Sequence, residues 1–413
     1  MRDHPTVARS GSRLRVVLAA ILVPSFLTAL VSAVLLWPER SPSRNAVDPV
    51  PRYHATVTRI VELPCSPATE TPEAAAPSGQ CGTATVSFDD GPADGTSAEV
   101  DLSSGGGAPS VEIGDNVIVS PLVDGLNPED AIYTIVEHQR GTPLLWLVAV
   151  FAIVIAAFGR WRGLAALAGL GVSFAVLLGF ILPAILAGHS PLLVAVVGAA
   201  LIMFVVLYLT HGLTAQTSVA VLGTLASLVL TGAMGSLAIA LTHMTGAGDD
   251  AAVDVYLTYG AIDLRGLLLA GIIIGSLGVL DDVTVTQAAT VAELARANPN
   301  LTHRQLYQGG IRVGRAHIAS TVNTIVLAYA GASLQVVLLV VAGSRSTVES
   351  VTSEFVAQEL VRTTVATLGL IAAVPITTVL AALVTKAGNH RPTTQRSTNP
   401  ENSADVGGAR IGR

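Results

Sequence analysis

The sequence has few charged residues, a single lysine and only two cysteines. Charged side chains make up 13% of the 413 residues and hydrophobic ones 51%, which gives a mean hydropathy of +0.61. A soluble globular chain carries about 25% charged residues, so this chain has too few to cover a water-exposed surface of its size. The net charge is −6 and the basic residues form no patch, which argues against a nucleic-acid partner.

Motifs of membrane-embedded and nucleotide-driven enzymes are also missing. The chain contains no His-Glu-x-x-His, no rhomboid-like Gly-x-Ser-Gly and no phosphate-binding Gly-x-x-x-x-Gly-Lys. The run from Gly278 to Asp282 does not match the Gly-x-Gly-Asp of intramembrane aspartyl proteases. We therefore expect no enzymatic activity, no cofactor and no metal site.

Long apolar runs are abundant, and they predict a multi-pass membrane protein. A spanning helix needs about 20 apolar residues, because every backbone N–H and C=O in hydrocarbon must be paired within its own segment. Eight segments meet this demand, at approximately Val16 to Trp37, Thr142 to Phe158, Gly163 to Gly188, Pro191 to Thr210, Ser218 to His243, Arg265 to Leu280, His317 to Gly343 and Leu360 to Lys386. The predicted fold class is mainly α, a bundle of about eight transmembrane helices, with the first span at residues 16–37 and the other seven within residues 142–387.

Arginines at the ends of these segments predict the orientation. Several arginines, among them Arg2, Arg9 and Arg13, precede the first helix, and arginine-rich flanks remain in the cytoplasm. An even number of spans returns the C-terminus to the same side, so the polar tails at residues 1–15 and 388–413 are both expected in the cytoplasm, the latter disordered. The first helix is expected to be an uncleaved signal anchor because its apolar run continues to Trp37; cleavage near Val31-Ser32-Ala33 is the alternative.

Residues 38–141 have the composition of a small β-rich domain on the outer side of the membrane. Glycine and aspartate clusters, which favour tight turns, separate five short runs rich in β-forming residues. The runs are Tyr53 to Val61, Thr83 to Phe88, Ala98 to Leu102, Asn116 to Ser120 and Ile132 to Val136. Five such strands between the first and second helices predict a small barrel resembling an OB-fold.

Both cysteines of the chain, Cys65 and Cys81, lie in this outer domain. A pair confined to an oxidising compartment favours a disulfide, although two unpaired thiols are the alternative. The bond would close a loop of about 17 residues, for which the chain-entropy model gives about 3 kcal/mol of stabilisation.

Polar residues follow the sixth apolar run directly. Asp281 and Asp282 end it, and ionisable groups at the membrane edge are candidates for function. At helical spacing Asp282, Thr286, Thr290 and Glu293 share one face. This face either lines a water-filled cavity or lies on the cytoplasmic surface, and both interpretations remain open.

The seventh span brings further polar residues to membrane depth. Thr302 and Gln305 form a capping signal before it. Arg312 and Arg315 lie at its entry, where an arginine could neutralise an aspartate, and Asn323 lies inside the span. Asparagine in a membrane helix serves either as a ligand or as a hydrogen-bonding contact between helices.

Glycines and prolines predict how the helices pack. Gly271 and Gly275 in the sixth helix are spaced to let backbones approach closely, and Pro183 and Pro375 are expected to kink their helices. Helices broken by glycine or proline also build the sites of secondary transporters, but the two halves of this sequence show no inverted repeat.

Three motifs resemble the YibE/F-like family of bacterial membrane proteins. They are AGIIIGSLGVLDDV at residues 270–283, Gly314-Arg315 followed by NTIVLAYAG at residues 323–331, and GLIAAVPITT at residues 369–378. The resemblance extends over nearly the whole chain except the tails, and it implies a multi-pass protein of the bacterial plasma membrane without a settled substrate. The family commonly has serine where Thr286 or its neighbours stand, so no single hydroxyl there is assigned a role.

Two functions are consistent with these features. The aspartates, Asn323 and the broken helices favour a secondary transporter or permease for a small solute or ion. The alternative is a non-transporting scaffold or envelope-assembly factor whose outer domain binds an envelope protein. In both cases the lipid bilayer is a partner, and an enzyme is the least supported class.

Overall fold

The chain is described here by a computed structural model covering residues 9–38, 51–63, 80–91, 93–102, 110–122, 132–248, 250–260, 262–342, 348–349 and 352–388. It divides into two compact units. One comprises Ser43–Ala168 and Thr258–Gly260, and the other comprises Met1–Pro42, Gly169–Leu257 and Ala261–Arg413. The tail from residue 389, for which disorder is predicted, lies outside the described residues.

The first unit contains a five-stranded antiparallel sheet. The strands are β1 Tyr53–Glu62, β2 Gly82–Phe88, β3 Ser97–Leu102, β4 Asn116–Pro121 and β5 Tyr133–His138. Their order is β3-β2-β1-β4-β5, and the two edge strands β3 and β5 contact each other, so the sheet is curled. The five strands predicted from the sequence are confirmed, each within two residues at its ends.

Alternation of buried and exposed residues explains why these segments form one curled sheet. Inward residues such as Val86, Val100 and Val119 are fully buried, whereas their neighbours along each strand are more exposed. Two aromatic rings close the core, with the centroids of Phe88 and Tyr133 4.9 Å apart. The interior is therefore an apolar core belonging to this unit alone.

Only one cysteine of the predicted disulfide lies among the described residues. Cys65 lies outside the described residues, and Cys81 immediately precedes β2. The carbonyl oxygen of Cys81 accepts a hydrogen bond of 2.8 Å from the backbone N–H of Leu63. The backbone two residues before Cys65 thus lies beside Cys81, and the disulfide stays a prediction.

Ten α-helices account for most of the remaining described residues. They are α1 Arg9–Leu35, α2 Gly141–Val176, α3 Leu182–Leu186, α4 Pro191–His211, α5 Ala215–Leu241, α6 Asp250–Tyr259, α7 Leu264–Ala297, α8 His303–Ala332, α9 Leu334–Ala342 and α10 Glu354–Gly388. A π-helical turn at Leu177–Ile181 joins α2 to α3. The chain is thus mainly helical, as the sequence predicts.

Six helical segments in the described residues are long and apolar enough to cross a membrane, so the chain is a multi-pass membrane protein. They are Val16–Leu35, Gly141–Leu186, Pro191–His211, Ala215–Leu241, Leu264–Ala297 and Glu354–Thr385. Eight spans are predicted from the sequence, and the difference in number comes from two places along the chain.

The first difference lies between residues 141 and 186, where the sequence predicts two spans. The structure has one helical segment of 46 residues, which at 1.5 Å per residue would be about 69 Å long. That exceeds twice the hydrocarbon thickness of about 30 Å. Arg160 interrupts the segment with φ 51° and ψ −130°, between the two predicted spans.

The second difference concerns the predicted seventh span, His317 to Gly343. Its residues are divided between α8 and α9, and α8 begins at His303 with polar residues. Polar residues continue far along α8, so this helix is not apolar enough to be counted among the six possible spans.

Helices α5, α7 and α10 form the centre of the second unit. They pack against one another, while α8 contacts α7 and α10, and α4 contacts α7 and α1. Ile272, Ile273 and Leu280 of α7 and Leu370 of α10 are completely buried between them. Burial of apolar surface does not favour helix association in lipid, so close packing and hydrogen bonds must hold this centre together.

Candidate functional site

The two aspartates lie inside α7 rather than at its end. Asp263 caps the helix by accepting a 3.0 Å hydrogen bond from the N–H of Gly266, and the helix then continues to Ala297. The apolar run of the predicted sixth span stops at Leu280, but the following residues keep a buried face and the helix continues through them.

Contacts with α5 show how deep Asp281 lies in the bundle. The hydroxyl oxygens of Thr224 in α5 and Thr284 in α7 are 2.7 Å apart. Helix α5 is 27 residues long, about 40 Å, and Thr224 lies about 14 Å from its start at Ala215. Asp281 precedes Thr284 by three residues in the antiparallel helix, about 4.5 Å further along. Asp281 is therefore level with the middle of α5.

The polar side chains predicted on α7 lie at different exposures. Asp282 and Thr286 are exposed, Thr290 is half-buried, and Asp281 is half-buried on another side of the helix. The Oδ1 atom of Asp281 is itself buried and has no hydrogen-bond partner within the described part of the chain. Asp281 is thus the one member of the predicted set with an unpaired polar atom inside the bundle.

The predicted residues of α8 lie on its outer side. The capping box at Thr302 and Gln305 is confirmed and starts the helix. Arg312, Arg315 and Asn323 are exposed. Among the described residues, neither arginine forms an ion pair with an aspartate of α7.

Two buried hydrogen-bond pairs connect the central helices, and sequence reasoning gave neither of them a role. Thr224 and Thr284 form the first pair, and both are completely buried. In the second, Gln287 Nε2 donates to the hydroxyl of Thr378 in α10 at 2.7 Å, and it also donates to the Gly310 carbonyl of α8 at 2.9 Å. A polar layer therefore joins all four helices α5, α7, α8 and α10.

Glycines on the facing helices make room for these polar side chains. A side-chain carbon at Gly314 would lie 2.5 Å from Val374 Cγ1 and 2.9 Å from Gln287 Oε1, and one at Gly223 would collide with the hydroxyl of Thr377. Gly369 is placed in the same way as Gly223, against Thr231. At Gly223 and Gly369 the close helix contact is thus matched to a hydroxyl group.

Of the glycines and prolines predicted to shape the packing, Pro375 lies close in sequence to Thr377 and Thr378, whereas the others are located elsewhere. Gly271 and Gly275 are exposed; Gly271 has no neighbour near its Cβ position, and Gly275 meets only the hydroxyl of Tyr329. Pro183 stands in the first turn of α3, directly after the π-helical turn. Pro375 lies within α10, which remains helical on both sides of it.

Five buried polar atoms in this unit lack a hydrogen-bond partner among the described residues. They are Asp281 Oδ1, His317 Nε2, Arg362 Nε, Thr367 Oγ1 and Thr377 Oγ1. All five belong to α7, α8 and α10. Unpaired buried polar groups are uncommon in native proteins, and ordered water or a bound ion is a usual explanation.

Polar residues also mark the end of the bundle where α10 begins. Glu354 accepts hydrogen bonds from the N–H of Thr245, its hydroxyl and the N–H of Gly246, at 2.7, 2.6 and 2.9 Å. Two turns further along α10, Arg362 pairs with Glu359 at 2.7 Å. Polar groups on α10 thus extend from this end to Thr378.

Polar groups occur at several levels in the interior of this unit. No group of three His, Cys, Asp or Glu side chains that could hold a metal occurs within the described ranges. We give the name polar track to a set of buried and half-buried polar residues of α5, α7 and α10: Arg362, Thr367, Thr377, Thr378, Thr224, Asp281, Thr284 and Gln287. Its hydroxyl, amide and carboxyl groups are able to contact water, a small polar solute or an ion.

No curated protein and no solved structure matches the chain. A family model described as YibE/F-like protein matches residues 147–387. The match covers more than half of the chain and includes the polar track, but not α1 or the β-sheet.

Proposed function

The chain belongs to the YibE/F-like family, and from this premise we propose that it is a permease-like secondary transporter of a small polar solute or ion. Family membership itself identifies a membrane protein and no substrate. The proposal rests on the polar track of α5, α7 and α10, and in particular on the unpaired atoms within it.

The unpaired atoms distinguish a pathway from polar contacts that only hold helices together. Thr224 with Thr284 and Gln287 with Thr378 are complete hydrogen-bond pairs and are sufficient as interhelical contacts. Thr377 Oγ1 and Asp281 Oδ1 are buried without such partners. An unpaired polar atom in a membrane interior is unfavourable unless water or a solute reaches it.

The proposed orientation gives the polar track a direction. We place both termini in the cytoplasm of a bacterial cell and the β-sheet unit outside its plasma membrane, following the distribution of arginines. Helix α10 then enters the membrane from the outside at Glu354 and leaves it towards Gly388. The track consequently begins near the outer surface and reaches the layer formed by Gln287 and Thr378.

The outer unit is proposed to be an OB-like domain stabilised by the Cys65–Cys81 disulfide. The strand order β3-β2-β1-β4-β5, with β3 contacting β5, is the order expected for such a five-stranded barrel. The hydrogen bond between Leu63 and Cys81 supports the disulfide.

A scaffold that binds an envelope protein is the second candidate, because the β-sheet unit exposes apolar side chains. Leu122 and Ile132 are 63% and 61% exposed, and the N–H of Leu122 donates to the carbonyl of Ile132. Two adjacent apolar side chains beside an edge strand are able to contact a partner. Neither proposal includes a catalytic step, since the sequence lacks the motifs of membrane-embedded enzymes.

Cysteine labelling distinguishes the two candidates. Thr377→Cys places a thiol at the unpaired hydroxyl, and Leu370→Cys places one two turns away in α10 at an equally buried apolar position. A membrane-impermeant methanethiosulfonate is added from either side of inverted and right-side-out vesicles, with the unsubstituted chain as the blank.

The transporter proposal predicts that Thr377→Cys is modified from at least one side while Leu370→Cys remains unmodified. If position 377 reacts no faster than position 370, the polar track is closed to water and the scaffold is favoured.

A further inference from the structure

The outer face of α8 is unusually polar for a helix at the periphery of a membrane bundle. The helix contacts α7, α9 and α10 through one side. On its other side Arg315, Ser320, Asn323 and Thr324 are exposed. Helix α8 is not one of the six apolar segments, and polar side chains are unfavourable next to lipid, so any part of this face at membrane depth needs water or a polar partner.

A stripe of small residues on α7 adjoins this face. Gly271, Gly275 and Gly278 are exposed at spacings of four and three residues, which places them on one side of the helix. The stripe borders α8, because a side-chain carbon at Gly275 would lie 3.3 Å from the Tyr329 hydroxyl. Nothing in the described residues covers Gly271 or Gly278. Another helix could therefore approach α7 closely at this place.

Opposite charges are exposed on these two adjacent helices. Asp282 continues the stripe and is exposed, and Arg315 is exposed on α8. Gly314 packs against Gln287, so Arg315 is level with about residue 286, four residues or about 6 Å from Asp282 along the helix. Neither side chain has an ion-pair partner within the described residues.

We propose that this α7–α8 face binds a second copy of the chain as a two-fold symmetric dimer. A two-fold axis brings the same patch of both copies together, so a patch that carries an acid and a base complements itself. The glycine stripes let the two α7 helices approach, and the Arg315 side chains of both copies then offset the two Asp282 carboxylates that meet near the axis. Asn323, which can both donate and accept, hydrogen-bonds across the interface.

This dimer goes beyond the proposed transport function and does not depend on it. The polar track lies on the sides of α7 that face α5 and α10, whereas the dimer uses its exposed side. Failure of one proposal leaves the other intact.

Disulfide cross-linking in native membranes tests the interface. Gly278→Cys has open space around its Cβ position, so the substitution is compatible with the fold of one copy. Leu237→Cys is the control, an apolar position of α5 that is 60% exposed. After treatment with copper phenanthroline, we expect a cross-linked dimer for Gly278→Cys and none for Leu237→Cys. Equal cross-linking at both positions, or none at Gly278→Cys, overturns the dimer.

Charge exchange tests the specific pairing in the Gly278→Cys background. Asp282→Arg and Arg315→Asp alone each place like charges together, which is unfavourable at an interface, so cross-linking should fall at least about tenfold. The double exchange restores complementarity and should return cross-linking to within about twofold of the starting level. If both single variants cross-link normally, or the double variant does not recover, the Asp282–Arg315 pairing is wrong.

Discussion

Replacement of Gln287 by leucine removes the polar group that joins three helices. Gln287 is 3% exposed, and its Nε2 atom donates to Thr378 of α10 and to the Gly310 carbonyl of α8. Leucine has a similar size and fills the same space, so the change mainly deletes these two bonds. The expected result is a lower free energy of unfolding.

The magnitude follows from the number of bonds. Interhelical hydrogen bonds in membrane proteins contribute about 0.6 kcal/mol on average and about 1.7 kcal/mol at most. Two bonds therefore give about 1–3 kcal/mol for Gln287→Leu. Gln335→Leu on α9 is the matched control, because Gln335 is exposed, and its effect should stay within about 0.5 kcal/mol.

Reversible unfolding in bicelles, followed by steric trapping, measures both values. A double-mutant cycle with Thr378→Val isolates the bond between the two side chains, and a coupling energy between about 0.6 and 1.7 kcal/mol is expected. A Gln287→Leu value no larger than that of the Gln335 control, together with zero coupling, would refute the role assigned to this polar layer.

Three further predictions concern other parts of the chain. Gly314→Ala forces a side chain against Val374 and Gln287 and should cost about 1–3 kcal/mol of unfolding free energy, whereas Gly171→Ala, where the space is open, should not destabilise the chain; unfolding in the same bicelles compares them. Glu354→Ala removes three hydrogen bonds to the loop after α5, so amide exchange of that loop should accelerate, and unchanged exchange contradicts the contact. Hydrogen bonds from the side chain and backbone of His54 lower the pKa of Asp90 below its usual 3.8. This carboxylate thus stabilises the folded chain above that pH and loses its contribution as the pH falls through the lower folded pKa; Asp90→Asn should reduce the melting temperature at pH 6 more than at pH 2.

The β-sheet unit was the part of the fold most accessible from the sequence. Its strands are short, they alternate buried and exposed residues, and turn-forming glycines separate them, so local patterns were sufficient to locate them. Thr302 and Gln305 were recognised for the same reason, because a capping box depends on residues only three positions apart.

The polar layer inside the bundle depends on contacts between distant segments and was not found. Asp282, Thr286 and Thr290 were predicted to form the functional face of α7. Thr284 and Gln287, on the adjacent face, are the residues that are buried. In this part of α7 polar residues occur on both faces, so the local pattern does not show which face the neighbouring helices cover.

A signal for the buried face was nevertheless present in α5. Thr224, Ser227 and Thr231 recur at spacings of three and four residues within an apolar segment, which places three hydroxyls on one side of the helix. All three are completely buried. Such periodic hydroxyls within a predicted span indicate a face that contacts other helices rather than lipid.

Radiolytic footprinting of the unsubstituted chain in lipid nanodiscs tests most directly whether water reaches the polar track. Hydroxyl radicals generated from bound water oxidise the side chains beside that water. The account predicts oxidation at Val374, one helical turn before the unpaired Thr377 hydroxyl. It predicts none at Met203, a more reactive side chain that is 1% exposed in α4. Oxidation confined to the ends of the helices, with Val374 unmodified, would contradict a water-accessible track and with it the proposed transport function.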